Sequence, residues 1–205
     1  MRAAIVALLF LAHAARANPS NETLVLVGAG MALPTYVIGV SLHESSHALA
    51  AELLGADVDE LHVFPPGVDP HAHVFRFGWT YVHGLRTRRA TELFLLAPKI
   101  TDALLLGGFA ALVFTSAWPR NKYGQLALTV GATGLWVDFA KDVVVTSPHD
   151  DVVRVLDMWC VNKIAARIGY AVIDVGLALI VARGYERVFS RDPDPAIVPL
   201  LRTAF

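Results

Sequence analysis

The chain has 205 residues, a formal net charge of −1, 55% hydrophobic and 17% charged residues, and a mean hydropathy of +0.52. Soluble domains carry about 25% charged residues, so this composition excludes a mainly disordered chain and argues against an ordinary water-soluble domain. The balance of 17 Lys+Arg against 18 Asp+Glu points away from nucleic-acid partners, and the one cysteine, Cys160, excludes an internal disulfide framework or a cysteine zinc knuckle.

The first 17 residues read as a secretory signal peptide or an uncleaved first anchor: Met1-Arg2, an apolar run from Ala3 to Ala12, then Ala15-Arg16-Ala17. Thr23 to Leu42 is almost uncharged, and apolar character resumes from Ala48 to Leu54, giving a first long span over about 23–54. Further spans are expected at about 91–118, 123–146 and 168–183. About 20 residues cross a hydrocarbon core, so the last of these is short. It also contains Asp174, while Lys99, Asp102, Asp138, Lys141 and Asp142 interrupt the two before it. Lys99 is expected to snorkel to the interface, and Cys160 to pack as a small apolar residue.

Between the first two spans, Gly55 to Arg89 changes texture. Apolar and polar residues roughly alternate, and Pro65-Pro66-Gly67 marks a turn, which predicts a small β-hairpin or sheet at the membrane surface. Arg76, Arg86, Arg88 and Arg89 in this stretch place it on the cytoplasmic side by the positive-inside rule. Residues 191–205 read as a polar tail. The expected architecture is therefore mainly α: a polytopic membrane helical bundle over residues 18–190, with a small β element after the first long helix.

The residues that carry chemistry are His43-Glu44-Ser45-Ser46-His47. On a helix, positions i and i+4 share a face, so both imidazoles point to one side. Two neutral imidazoles suit Zn²⁺, and Glu44 between them sits where it can take a proton from a water. Ionisable groups following an apolar run are costly and usually functional. A catalytic zinc normally takes a third protein ligand. Asp102, Asp138, Asp142, His149, Asp150 and Asp151 are all candidates, and spacing alone does not choose among them.

These residues resemble the site-2 protease family of intramembrane metalloproteases, peptidase family M50. The family places its HExxH on an apolar helix with a Gly a few positions on, matched here by His43 to Ala51 and Gly55. A membrane-associated β segment follows, matched by Gly55–Trp79 in position and texture. Its Gly-Pro-x-x-Asn element has a loose counterpart in Ala97-Pro98-Lys99-Ile100-Thr101-Asp102, without the Asn. Its second signature, roughly Asn-x-x-Pro-x-Pro-x-Leu-Asp-Gly, falls on Asp142 to Asp151. Asp142 then replaces the Asn and Asp151 the Gly, and Asp150 stands at the ligand position. The resemblance covers about residues 23–156.

It implies a membrane-embedded zinc endopeptidase with metal ligands His43, His47 and Asp150 and catalytic base Glu44. Its substrate would be a membrane protein or peptide cut in or near a transmembrane segment. Asp150 also reads as part of a helix start, with Ser147 as N-cap and Pro148 at the first helical position. The degraded second signature keeps open a non-proteolytic membrane protein of the same fold, acting as a metal-binding or regulatory partner. A soluble helical zinc hydrolase is a further alternative.

Overall fold

Ser20 opens the first helix, its hydroxyl accepting a hydrogen bond from the Thr23 amide and so meeting one of the amides that a helix start leaves free. The computed structural model describes residues 19–144 and 147–190. The expected leader over 1–17 and the polar tail over 191–205 therefore lie outside the described residues, as do the last two residues of the expected 123–146 span. Helix α1 runs Asn21–Leu53 without a break, through Pro34 and through the polar interruption. Its 33 residues span about 50 Å, against ~30 Å for a hydrocarbon core. The His-Glu-His motif thus sits inside one continuous helix, and Leu53 lies about 15 Å beyond His43.

Gly55, with a φ of +75°, turns the chain out of α1, a backbone conformation that only glycine adopts without strain. Strands β1 (Asp57–His62) and β4 (Trp79–His83) pair antiparallel, Asp57 opposite His83 and His62 opposite Trp79. Between them β2 (Gly67–Val68) pairs with β3 (Phe75–Arg76). The expected β element is therefore one hairpin nested in another. Asp69 fastens the inner one. It is fully buried, accepts hydrogen bonds from the His71 and Ala72 amides and from Tyr81 Oη, and pairs with Arg76 Nε at 3.0 Å. Burial works against the charge on Asp69, but these donors outweigh it and hold its carboxyl below the usual carboxylate range. Burial and the neighbouring Asp69 push the Tyr81 phenol up to about 12.

Helix α2 (Arg88–Val113) is capped by Thr87, which accepts from the Ala90 amide. Helix α3 (Lys122–Val144) and helix α5 (Lys163–Phe189) pack along each other, and the short α4 (Asp151–Met158) lies against α2. One apolar cluster, Leu106, Phe109, Val113, Trp118, Ala132, Phe139 and Val181, joins α2, α3 and α5. A second, Ala51, Ala56, Phe94, Leu95 and Val155, ties the end of α1 to α2 and α4. That second cluster brings α4 up to the motif-bearing turn of α1.

Among the described residues, three helices are long and apolar enough to cross a membrane: Asn21–Leu53, Arg88–Val113 and Lys163–Phe189. The span expected at 123–146 forms α3 but is not among them. The short span expected at 168–183 is the middle of a 27-residue helix. Helices α1 and α5 expose much of their apolar surface: Leu26 is 74% exposed, Leu53 78%, Ile164 71% and Val172 69%. Cys160 is exposed rather than packed.

Candidate metal centre

Helix geometry brings the two imidazoles of α1 together, with ring centroids 5.2 Å apart. The third group comes from α4. Nitrogen and oxygen atoms of His43, His47 and Asp151 all lie within 4.8 Å of one another, so this group could hold a metal ion. Asp151 Oδ2 stands 3.0 Å from His47 Nε2 and 3.7 Å from His43 Nε2. Burial works against the charge on Asp151, but its contacts with the two imidazoles hold the carboxyl well below the usual range. Two imidazole nitrogens and one carboxylate oxygen are a donor set that suits Zn²⁺.

The other nitrogen of each ring is occupied. His47 Nδ1 donates to the Phe94 carbonyl at 2.8 Å, since a carbonyl can only accept, and Nε2 faces Asp151. His43 Nδ1 lies 3.5 Å from Asp138 Oδ2. Both rings thus turn Nε2 to the same point, the orientation that outer partners impose on metal-ligating histidines.

At the third position the structure differs from the expectation. Asp150 is not in the group. It is the N-cap of α4, its Oδ1 accepting from the Val152 and Val153 amides at 3.0 and 3.2 Å. Asp151 takes the place instead. The cap expected at Ser147 falls three residues later, because Ser147 closes a preceding turn: its carbonyl accepts from the Asp150 amide and its hydroxyl from the His149 amide. Asp142 and Asp102 are buried beside Lys99, at 2.9 and 3.9 Å from its Nζ. Lys99 therefore does not snorkel; it is 6% exposed.

Glu44, between the two histidines, is 8% exposed. Thr80 Oγ1 on β4 is within bonding reach of both its carboxylate Oε2 (2.8 Å) and its backbone carbonyl (3.1 Å). Gly78 packs directly on it: a Cβ there would stand 2.8 Å from Glu44 Cγ and 2.9 Å from the His62 carbonyl oxygen. Sequence reading missed Thr80, Gly78 and the Phe94 carbonyl. The nested strand register puts Thr80 and Gly78 over the motif, and the packing of α2 on the end of α1 brings the Phe94 carbonyl to His47; no local pattern encodes either.

Two cavities meet here. One, about 570 Å³, lies on the β side, and Glu44, His47, His71, Arg154 and Asp151 are among its lining residues. The other, about 1200 Å³, is a long groove between α1 and α3. Leu24, Gly28, Ala32, Leu126 and Val130 line its far part, and His43, Glu44, Asp138 and Asp151 its near end. Glu44 and Asp151 line both.

No family model, curated protein or solved structure matches this chain. The site's own geometry therefore carries the functional argument.

Proposed function

We propose that this protein is an intramembrane zinc metalloprotease that hydrolyses peptide bonds in or near transmembrane segments. The observation that carries this reading is the place of the group. His43, His47 and Asp151, with Glu44 between the histidines, stand where an apolar groove meets a polar pocket. An apolar polypeptide segment fits the groove, and the water a hydrolysis consumes enters by the pocket. Three apolar helices supply the membrane part of the reading, with α1, α2 and α5 as spans of a multi-pass protein.

Zn²⁺ in this group would polarise the scissile carbonyl and bring the pKa of a water toward about 7. The chain does the rest. The Nδ1 partners of both histidines would leave Nε2 as the atom each offers to the ion. Glu44 takes the proton of the attacking water and delivers it to the leaving amine. Thr80 fixes the orientation of that carboxylate. The same Thr80 contact favours one other reading, a non-proteolytic metal-binding or regulatory protein, because it occupies an oxygen that a free base would offer.

The test is a variant series in detergent or vesicles. His43→Ala, His47→Ala and Asp151→Ala should each lose stoichiometric zinc. Glu44→Gln should keep the metal and lose about 10²–10⁴-fold of cleavage of a transmembrane reporter. Zinc-loaded wild type that cleaves no reporter would leave the non-proteolytic reading, and equal cleavage by wild type and Glu44→Gln would remove Glu44 as the base. We also place the His-Glu-His end of α1 on the cytoplasmic side, since Arg76, Arg86, Arg88 and Arg89 follow it. A reporter fused after Arg89 should read cytoplasmic; an external reading reverses the orientation.

A further inference from the structure

Lys99 is a buried cation inside the bundle. It stands on a largely apolar stretch of α2, with Asp102 one turn on at 3.9 Å, and a buried ammonium persists only where partners compensate its lost hydration. It has three acceptor atoms on α3, from two residues. It donates to the Asp138 carbonyl at 2.7 Å, closely to Asp138 Oδ2, and pairs with Asp142 Oδ2 at 2.9 Å. Asp142 is buried as well. Neither Lys99 nor Asp142 is among the residues that line the two cavities. What they reach is Asp138, whose Oδ2 also faces His43 Nδ1 at 3.5 Å, while Lys141 holds its other oxygen at 2.7 Å.

We propose that Asp138 and Lys99 are positioning residues of the metal centre, resting on the reading of His43, His47 and Asp151 as its ligands. Asp138 accepts from His43 Nδ1, which fixes the tautomer and the ring angle that aim Nε2 at the ion. Lys99 holds that carboxylate in place from the neighbouring helix. The two histidines are thereby secured differently. A backbone carbonyl of α2 fixes His47, and side chains alone fix His43. His43 is therefore the ligand whose aim depends on a charge network spanning α2 and α3. Outer partners of this kind are worth about 10–100-fold in metal affinity.

The test uses the full-length protein in detergent, with Zn²⁺ affinity read by competition against a chromophoric chelator and ligand geometry by the Co²⁺ absorption spectrum. Asp138→Ala and Lys99→Met should each weaken Zn²⁺ binding about 10–100-fold and shift the Co²⁺ bands. Lys99→Arg, which keeps the charge and the donors, should recover most of the loss. Lys99→Met leaves Asp142 buried without its cation, so Lys99→Met with Asp142→Leu, which removes both charges together, carries the same test should the single variant not fold. A purely structural role predicts a lower melting temperature with Zn²⁺ affinity unchanged. That result in folded Asp138→Ala or in the double variant overturns the positioning role and leaves the metal centre standing. Wild type that binds no Zn²⁺ overturns both.

Discussion

The two ends of the bundle are built by opposite rules. Where α3 crosses α5, contact is mainly apolar and close, with uncharged side chains such as Thr129 and Thr133 among it. Gly184 lets the helices approach until a Cβ there would sit 2.7 Å from the Phe109 ring and 3.0 Å from Thr129 Oγ1. Around it Leu106, Val113 and Val181 are almost fully buried. Where α1 meets α2, α3 and α4, the buried residues are instead Glu44, His47, Lys99, Asp102 and Asp142. The apolar end gains from every contact. The polar end carries groups that cost free energy to bury and are retained only in mutual pairs. A chain selected for stability alone would fill both ends alike. The contrast fits the proposal that the polar end is kept for chemistry.

The sharpest way to break that contrast is to crowd the polar end without touching a ligand. Gly78→Ala puts a methyl against Glu44 Cγ, Val40 Cγ1 and the His62 carbonyl oxygen, all at or below 2.9 Å. Glu44 or the strand must move, and a misplacement of about 1 Å costs on the order of 10² in rate. Reporter cleavage should fall by about that factor, while zinc content stays at the wild-type value because His43, His47 and Asp151 are untouched. Lost zinc would show that Gly78 supports the whole centre rather than its base.

The matching change at the apolar end is Gly184→Ala. Overpacking costs about 1–3 kcal/mol, and replacing a helical glycine returns up to about 1 kcal/mol. The melting temperature in detergent should drop while cleavage per folded molecule stays the same. Lost cleavage at full stability would mean that this crossing also transmits to the site, and the two ends would not be independent.

How far the sequence discloses each end follows from the range of the interactions. His43, Glu44 and His47 are legible because one helix turn holds all three, and helix periodicity is local. The four long helices are legible from their apolar runs, though α1 continues through the polar residues that look like a break. Pairing within its own helix satisfies the backbone there whatever the side chains are. The strand partners are less legible. The alternating stretch before Trp79 is too short to name its register, and β1 takes Trp79–His83 as its partner. Thr80 and Gly78 follow from that register and stay hidden with it. Lys99 reads as a snorkelling residue because its partners lie 39 and 43 positions away on α3. The third carboxylate is missed by a single residue, since Asp150 and Asp151 differ only in which one caps α4.

That difference supplies the smallest effect expected and the finest test of the site. Asp150 and Asp151 are adjacent and identical in chemistry, so composition, charge and depth cannot separate them. Only backbone position does. Asp150 precedes the first turn of α4 with extended backbone, φ −75° and ψ 138°, and its carboxylate turns back to the Val152 and Val153 amides. Asp151 is inside the turn, about 100° further round the helix, and points at His47. Losing a capping carboxylate costs about 1 kcal/mol. Asp150→Ala should therefore lower stability by about that amount and leave zinc bound, whereas Asp151→Ala should empty the site. Asp150→Asn, which keeps a capping oxygen, should restore most of the stability lost in Asp150→Ala. If Asp150→Ala instead lost zinc while Asp151→Ala kept it, the start of α4 would have to lie one residue earlier in the metal-bound protein, with Asp150 turned inward and Asp151 freed.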